Sequence, residues 1–367
     1  MNAAISSHTY VTKSQIGVGI GYLCLMLLVV RTLLSGVGEY DTLGVTVMLN
    51  ALLLFAAYFC MKINKRYWFI LCMLPIAAYN REILAAIDIT LFVYIFKGTS
   101  IKKIATCSAV CLAIGLTYIY LLGEFGFIDL HKALFYTHRV NVSHAFGFSN
   151  ANTFGQYIYA LIGCLYVALI NKKSIWLLLL GIVPISFILY NYTGTRALFV
   201  CLLIVVIIHI FISLHQLPKK ARYLVGILPL VLFAVNACLT LGHASSELLS
   251  ETSGRLLIYS NILYSMSPIN WLIGVRIPEG PMDGSFWMLL FGGGLLWALF
   301  YYYNFYKSAV HYYTKWKPYL PIIAGVSAYG IAENIFWSCN GISIIYWLLV
   351  FTYYTEGGAK AIRYKKL

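Results

Sequence analysis

Apolar runs long enough to cross a lipid bilayer follow one another along almost the whole chain, and no other feature restricts its fold as much. A hydrocarbon core needs roughly 17 to 20 apolar residues per helical span. Backbone in lipid must satisfy its own hydrogen bonds, so each run has to be a helix. The spans fall at 16–35, 43–61, 67–79, 83–97, 104–122, 153–170, 174–190, 196–214, 222–241, 285–306, 319–337 and 341–356. The pair 67–79 and 83–97 is short and reads as a tilted or re-entrant hairpin around Asn80-Arg81-Glu82. With 61% hydrophobic and 10% charged residues, the chain has too little polar surface for a soluble globule. The expectation is an all-α polytopic integral membrane protein of about twelve transmembrane helices, forming a single domain over residues 1–367. Lys13 followed by the run Ile16–Leu34 reads as a first membrane helix rather than a removed signal.

The net charge of +14 would suggest a nucleic-acid partner in a soluble protein. Here it is better explained by sidedness, and no nucleic-acid module is visible. One set of span ends carries Lys13, Lys62, Lys65, Arg66, Lys97, Lys102, Lys103, Lys172, Lys173, Lys219, Lys220, Arg222, Lys307, Lys315, Lys317, Lys360, Arg363, Lys365 and Lys366. The opposite set has Arg81, Lys132, Arg139, Arg196, Arg255 and Arg276. The lysine-rich set should be cytoplasmic, with both termini on that side. The outer cations are almost all arginine, whose planar fork holds phosphate in a fixed geometry. They could equally pair with the outer acids Glu124, Asp129, Glu251 and Glu279.

Two outer loops are long, residues 123–152 and 242–284. A helix can be drawn in each, Asp129–His138 and Glu247–Met266, the latter stopping before Pro268. In the second, Leu248, Leu249, Leu256, Ile262 and Leu263 give an apolar side suited to the membrane surface, and Glu251 and Arg255 lie four residues apart. The nine cysteines lie within or beside apolar runs without a CxxC pair, and read as small buried hydrophobes. Within the spans Arg31, Asp88 and Glu333 should face the bundle interior, either as structural ion pairs or, for Glu333, as part of a site.

Four outer segments concentrate polar chemistry. They are Arg139 to Gly155, with His144, Asn150 and Asn152; the turn Tyr192-Thr-Gly-Thr-Arg196; Ser253-Gly-Arg255 to Tyr259; and Gly274-Val-Arg276 with Asp283-Gly-Ser-Phe-Trp287. Singly, each has a plain structural reading: Asn as a helix cap, Thr-Gly-Thr-Arg as a turn with a snorkelling arginine. Gly292-Gly293-Gly294 suits tight helix packing. His138 and His144 lack a third ligand at metal-site spacing, so no metal is expected there.

In this order on such a frame, the segments resemble a Wzy-type polysaccharide polymerase, within the superfamily that includes O-antigen ligases. The resemblance rests on Gly147-Phe-Ser-Asn150-Ala-Asn152-Thr-Phe-Gly155, Tyr192-Thr-Gly-Thr-Arg196-Ala, Gly254-Arg255, and Asp283-Gly-Ser-Phe-Trp ahead of a glycine-rich helix. It covers residues 139–295, and its motifs are short and degenerate. In the ligase branch a histidine commonly stands where this chain has Asp283, which favours the polymerase.

The resemblance implies a helical bundle of the GT-C type in a bacterial plasma membrane. It would join oligosaccharide repeat units held on undecaprenyl diphosphate at the outer face. Membrane lipid, a flippase and a chain-length regulator are further candidate partners. Such chemistry needs cations facing the diphosphate, for which Arg139, Arg196, Arg255 and Arg276 are candidates. It also needs a proton acceptor for the sugar hydroxyl, in the order Asp283, Glu251, His144. Asp283, Arg196 and Arg255 are the expected catalytic set, with Arg139, His144, Asn150, Asn152, Glu251, Tyr259 and Arg276 binding substrate. No acidic motif for a divalent ion is visible, so neither metal nor cofactor is expected. The rivals are a ligase, a lipid-linked oligosaccharide flippase or transporter, and a purely structural membrane protein. A transporter should place its polar groups near the midplane in two related halves, and this chain does neither.

Overall fold

A ten-residue helix buried along its full length marks the centre of the molecule. The computed structural model describes residues 12–38, 42–60, 73, 75–77, 79–80, 82–130, 133–134, 143–215, 217–241, 255–277, 283–338 and 340–356. In chain order its helices are α1 (Lys13–Val37), α2 (Leu43–Cys60), α3 (Ile83–Ile95), α4 (Ile101–Glu124), α5 (Ala151–Leu169), α6 (Ile175–Thr193), α7 (Arg196–Leu214) and α8 (Ala221–Leu241). There follow α9 (Arg255–Ser265), α10 (Pro268–Ile273), α11 (Ser285–His311), α12 (Tyr313–Trp316), α13 (Leu320–Ala332), α14 (Gly341–Val350) and α15 (Thr352–Glu356). The chain is an all-α membrane protein. Six helices among the described residues are long and apolar enough to cross a bilayer: α1, α4, α6, α7, α8 and α11.

The buried helix is α14, which packs against α3, α4, α5, α11 and α13. It begins where a Cβ on Gly341 would lie 2.5 Å from Ser108 and 3.4 Å from Cys164, well inside α4 and α5. Around this centre the outer helices show apolar side chains outwards. Leu177 and Leu180 on α6 and Ile207 on α7 are 73%, 75% and 62% exposed, as a lipid-facing surface requires. Asp88, by contrast, turns inward on α3 and is buried. With its amide oriented to suit its neighbours, the Asn50 nitrogen lies 3.1 and 3.3 Å from the two Asp88 oxygens.

Four helices link the two ends of the bundle. Helix α5 leaves Asn150 and ends beside Lys172; α6 starts there and returns to Thr193; α7 leaves Arg196 and ends near Ser213; α13 starts after Lys317 and ends at Ala332. Helices α5, α6 and α7 each have 19 residues, about 28 Å, close to a bilayer core. One end is rich in lysine and the other carries the outer motifs.

Several expectations fail at the motif end. The described part of the helix drawn over Asp129–His138 is not helical: Asp129 and Leu130 are irregular, and Ala133–Leu134 pairs antiparallel with Ser143–His144 as a two-residue ladder; residues 131–132 and 135–138 lie outside the described residues. The span drawn at 319–337 stops at Ala332, because Glu333 is extended (φ −134°, ψ 152°). The described residues from Glu333 to Ser338 then lead into the bundle without forming a helix. Its backbone is satisfied by side chains instead. Ser285 Oγ accepts from Ile335 N (2.8 Å) and Phe336 N (3.1 Å), and Trp347 Nε1 donates to Phe336 O (2.9 Å). Non-helical backbone survives at membrane depth only when enclosed and satisfied in this way. The span at 341–356 is likewise two pieces, α14 and α15, parted at Phe351.

Within the glycine triplet, Gly292 serves close packing, a Cβ there lying 3.2 Å from Glu82, but Gly294 has another role. Gly294 sits at φ 68°, ψ 178°, a conformation open to glycine alone, and breaks α11 into a stub, Ser285–Gly293, and a longer limb. Into the break fits the segment after α10. Val275 N donates to Phe291 O (2.6 Å), and Asn80 Nδ2 donates to Gly292 O (2.9 Å). A Cβ on Gly294 would lie 2.3 Å from Leu272 O. The stub meets α8 through Trp287 Nε1 and Asn236 Oδ1 (3.3 Å), and meets the start of α3 through Asn80.

Candidate functional site

Three separate stretches meet at Arg255, the first residue of α9. Its Nη2 lies 2.8 Å from Asp283 Oδ2 and 3.5 Å from Glu333 Oε1, while Nη1 donates to Ala332 O (2.7 Å). Asp283 stands two residues before the α11 stub, and Glu333 is the first residue after α13. The α13 segment and the stub are tied together by Ser285, whose Oγ donates to Glu333 O (2.7 Å) while accepting two backbone amides from the segment that follows α13. Side-chain exposures of 23%, 24% and 9% for Arg255, Asp283 and Glu333 place the cluster at the bundle surface but largely out of water.

Burial and pairing act on the two partners unequally. Burial works against the charge of Arg255, but Glu333 and Asp283 overcome it and raise its pKa above the usual arginine value. Asp283 is raised above the ordinary carboxylate value, because burial outweighs the help it receives from Arg255. The two shifts would conflict for an isolated pair. Here one guanidinium is divided between two carboxylates, so the arginine gains from both while Asp283 has only a share of the cation. Arg255 stays charged, and Asp283 holds a proton more readily than an exposed aspartate does.

One turn after Arg255, Tyr259 is buried at 3% exposure, and its hydroxyl accepts from Gly284 N (2.9 Å). Its ring packs on Trp287 and Phe291, and burial pushes its pKa up to about 12. In this structure Tyr259, expected to bind substrate, holds Gly284, the residue next to Asp283, in place.

The earlier motifs gather beside this cluster. The His144 ring lies 6.5 Å from Tyr192 and 6.3 Å from Phe146, so the ladder rests on the last turn of α6. A Cβ on Gly155 would lie 2.9 Å from Thr195, which explains the small residue there. The join to the carboxylate cluster is Gln156, whose Nε2 donates to Asn334 O (2.9 Å). Asn150 caps α5, its side chain accepting from Asn152 N (2.8 Å), with both residues half-buried on the first turn. Arg196 at the start of α7 and Arg276 after α10 are exposed. Arg139 and Glu251 lie outside the described residues.

No family model, curated protein or solved structure matches this chain.

Sequence reasoning did not assign Ser285, Asn80 or Gln156 a role. Ser285 stands two residues after Asp283 in Asp283-Gly-Ser-Phe-Trp287, yet nothing in the sequence foretold that it would bond residues 48 to 51 positions away. Asn80 carried a weak signal, as a polar residue flanked by charge between two short apolar runs.

Proposed function

We propose that this chain is a glycosyltransferase of the polysaccharide-polymerase type, joining oligosaccharide repeat units carried on undecaprenyl diphosphate. The observation that carries the reading is the Arg255–Asp283–Glu333 cluster, drawn from three chain segments and placed at the lysine-poor end of a helical membrane bundle. Arg196 and Arg276 stand exposed at the same end.

In this reading the acceptor sugar hydroxyl attacks the anomeric carbon of the donor chain. A new C–O bond forms, the bond to the diphosphate oxygen breaks, and the hydroxyl proton passes to Asp283. A carboxylate with raised proton affinity is better matched to that transfer than an exposed one. Arg255 and Glu333 fix the orientation of Asp283, and Ser285 fixes Glu333. The exposed guanidinium groups of Arg196 and Arg276 meet the charge growing on the leaving diphosphate, where two-pronged hydrogen bonding suits the oxygens. By the same reading the frame is a GT-C-like bundle of about twelve spans in the plasma membrane, with both termini cytoplasmic and the motif end outside.

The test is a gel of surface polysaccharide with and without the gene, run beside the lipid-linked intermediates. Loss of the ladder, with single repeat units accumulating on the carrier at the outer face, supports the polymerase. Polymer retained on the lipid would instead mark a ligase, and units held at the inner face a flippase.

A further inference from the structure

The lysine-rich end holds a cavity that the proposed chemistry does not use. Its volume is about 430 Å³, and it opens where α5 gives way to α6, between the end of α7 and the start of α13. Lys172, Lys173 and Lys317 reach it from two chain segments. Among the described residues none of these lysines is in an ion pair, and no carboxylate lines the cavity. Its remaining wall is largely apolar, with Ile175, Ile212 and Pro321, and Trp176 stands at the edge, 51% exposed.

Three unneutralised cations over an apolar wall select a particular chemistry. A free anion would use the lysines and leave the wall idle; a neutral lipid would do the reverse. Tryptophan at the end of a spanning helix marks the headgroup level of the bilayer, where phosphate and the first acyl carbons lie side by side. We propose that this cavity binds the phosphodiester headgroup of an anionic membrane lipid, with the lysines on the phosphate and Ile212, Pro321 and Trp176 against the glycerol and upper chains. The site lies a full helix length from the Arg255 cluster, since α6, α7 and α13 each have one end at the cavity and the other among the outer motifs. It therefore stands or falls independently of the glycosyl-transfer reading.

The test uses the full chain purified in a neutral maltoside detergent. Short-chain phosphatidylglycerol and short-chain phosphatidylcholine are titrated while intrinsic tryptophan fluorescence is followed, and inorganic phosphate is added as competitor. The expected result is phosphatidylglycerol binding at least tenfold tighter than phosphatidylcholine. The combined variant Lys172→Gln/Lys173→Gln/Lys317→Gln should weaken it tenfold or more. Lys219→Gln/Lys220→Gln, which removes charge at the same end outside the cavity, should change it less than twofold. Ile212→Trp retains every charge and fills the apolar wall, and should also weaken binding. Equal affinity for both lipids, or equal loss in the two lysine variants, overturns the site. Displacement by inorganic phosphate at concentrations matching the lipid overturns the lipid assignment in favour of a free-anion site.

Discussion

Replacing Arg255 by alanine should lower stability by about 3 kcal/mol, and the structure gives the reasoning. The change removes a charged hydrogen bond to Ala332 O, worth roughly 1.5–3 kcal/mol, and leaves two carboxylates facing one another without their cation. Breaking a fully buried pair typically costs about 3–5 kcal/mol. Asp283 is 24% exposed and already inclined to take a proton, so it can neutralise itself and hold the loss near the lower bound. Glu333, at 9%, has less relief. For a chain of this length, about 3 kcal/mol corresponds to a fall in Tm of roughly 4–6 °C. The assay is thermal unfolding of detergent-purified protein, read by intrinsic fluorescence at a fixed heating rate. Arg255→Lys keeps a charge but not the fork, and should lose about half as much. The decisive control is Arg255→Ala combined with Glu333→Gln, which should recover roughly 1–2 kcal/mol because the orphaned charge is gone. An unchanged Tm in Arg255→Ala, or simple additivity in the double variant, would refute the shared-arginine geometry.

The remaining expectations test other parts of the argument. Arg196→Ala and Arg276→Ala should each abolish long polymer in cells while membrane abundance stays within about twofold of the parent, since exposed substitutions perturb folding little; full-length polymer in both variants sinks the phosphate-contact role. Ser285→Ala removes three hydrogen bonds and leaves the Phe336 amide without its acceptor, while Ile335 N and Glu333 O keep each other, and should lower stability by roughly 1–3 kcal/mol, checked by the same unfolding assay. Gly294→Ala forces a side chain into the glycine-only region and against Leu272 O, so monodisperse protein should largely disappear on size-exclusion chromatography. For Asp283 the sign is that of a raised acid: the folded state holds the proton more tightly than the unfolded state. Its contribution to stability is therefore largest below the ordinary value of about 4 and declines as pH rises towards the higher folded value. Asp283→Asn should lack that decline, and a Tm difference that moves the other way across this window contradicts the assignment.

Membrane residence was legible because lipid leaves the backbone so few options that composition alone suffices. The pairing around Arg255 was half visible. Asp283, Arg255 and Glu333 each stood out as charges in an apolar chain, but their meeting depends on two broken helices that hydropathy does not report. The interior of a membrane protein is as apolar as lipid, so a short enclosed helix such as α14 reads the same as part of a span. For the same reason 333–338 looked like the end of a helix, when it is irregular chain satisfied by Ser285 and Trp347. The ladder at Ala133 and His144 left no mark, being two residues long with no alternating pattern to read. Gly294 was noticed, but glycine in a membrane helix serves both close packing and breakage, and only the neighbouring Leu272–Val275 segment decides between them.

The break in α11 also separates the site from the state of the surrounding lipid. The stub Ser285–Gly293 is nine residues of fully buried helix, about 13 Å long, enclosed by protein on every side. Lipid-facing helices such as α6 and α7 respond to a thicker or thinner bilayer by changing tilt. The stub has no lipid contact through which to feel that change, and at the Gly294 break it is held by Val275 and Asn80 rather than by a continuous helix. Acyl-chain length should therefore alter the outline of this protein in the membrane while leaving the spacing between Asp283 and Arg255 as it is.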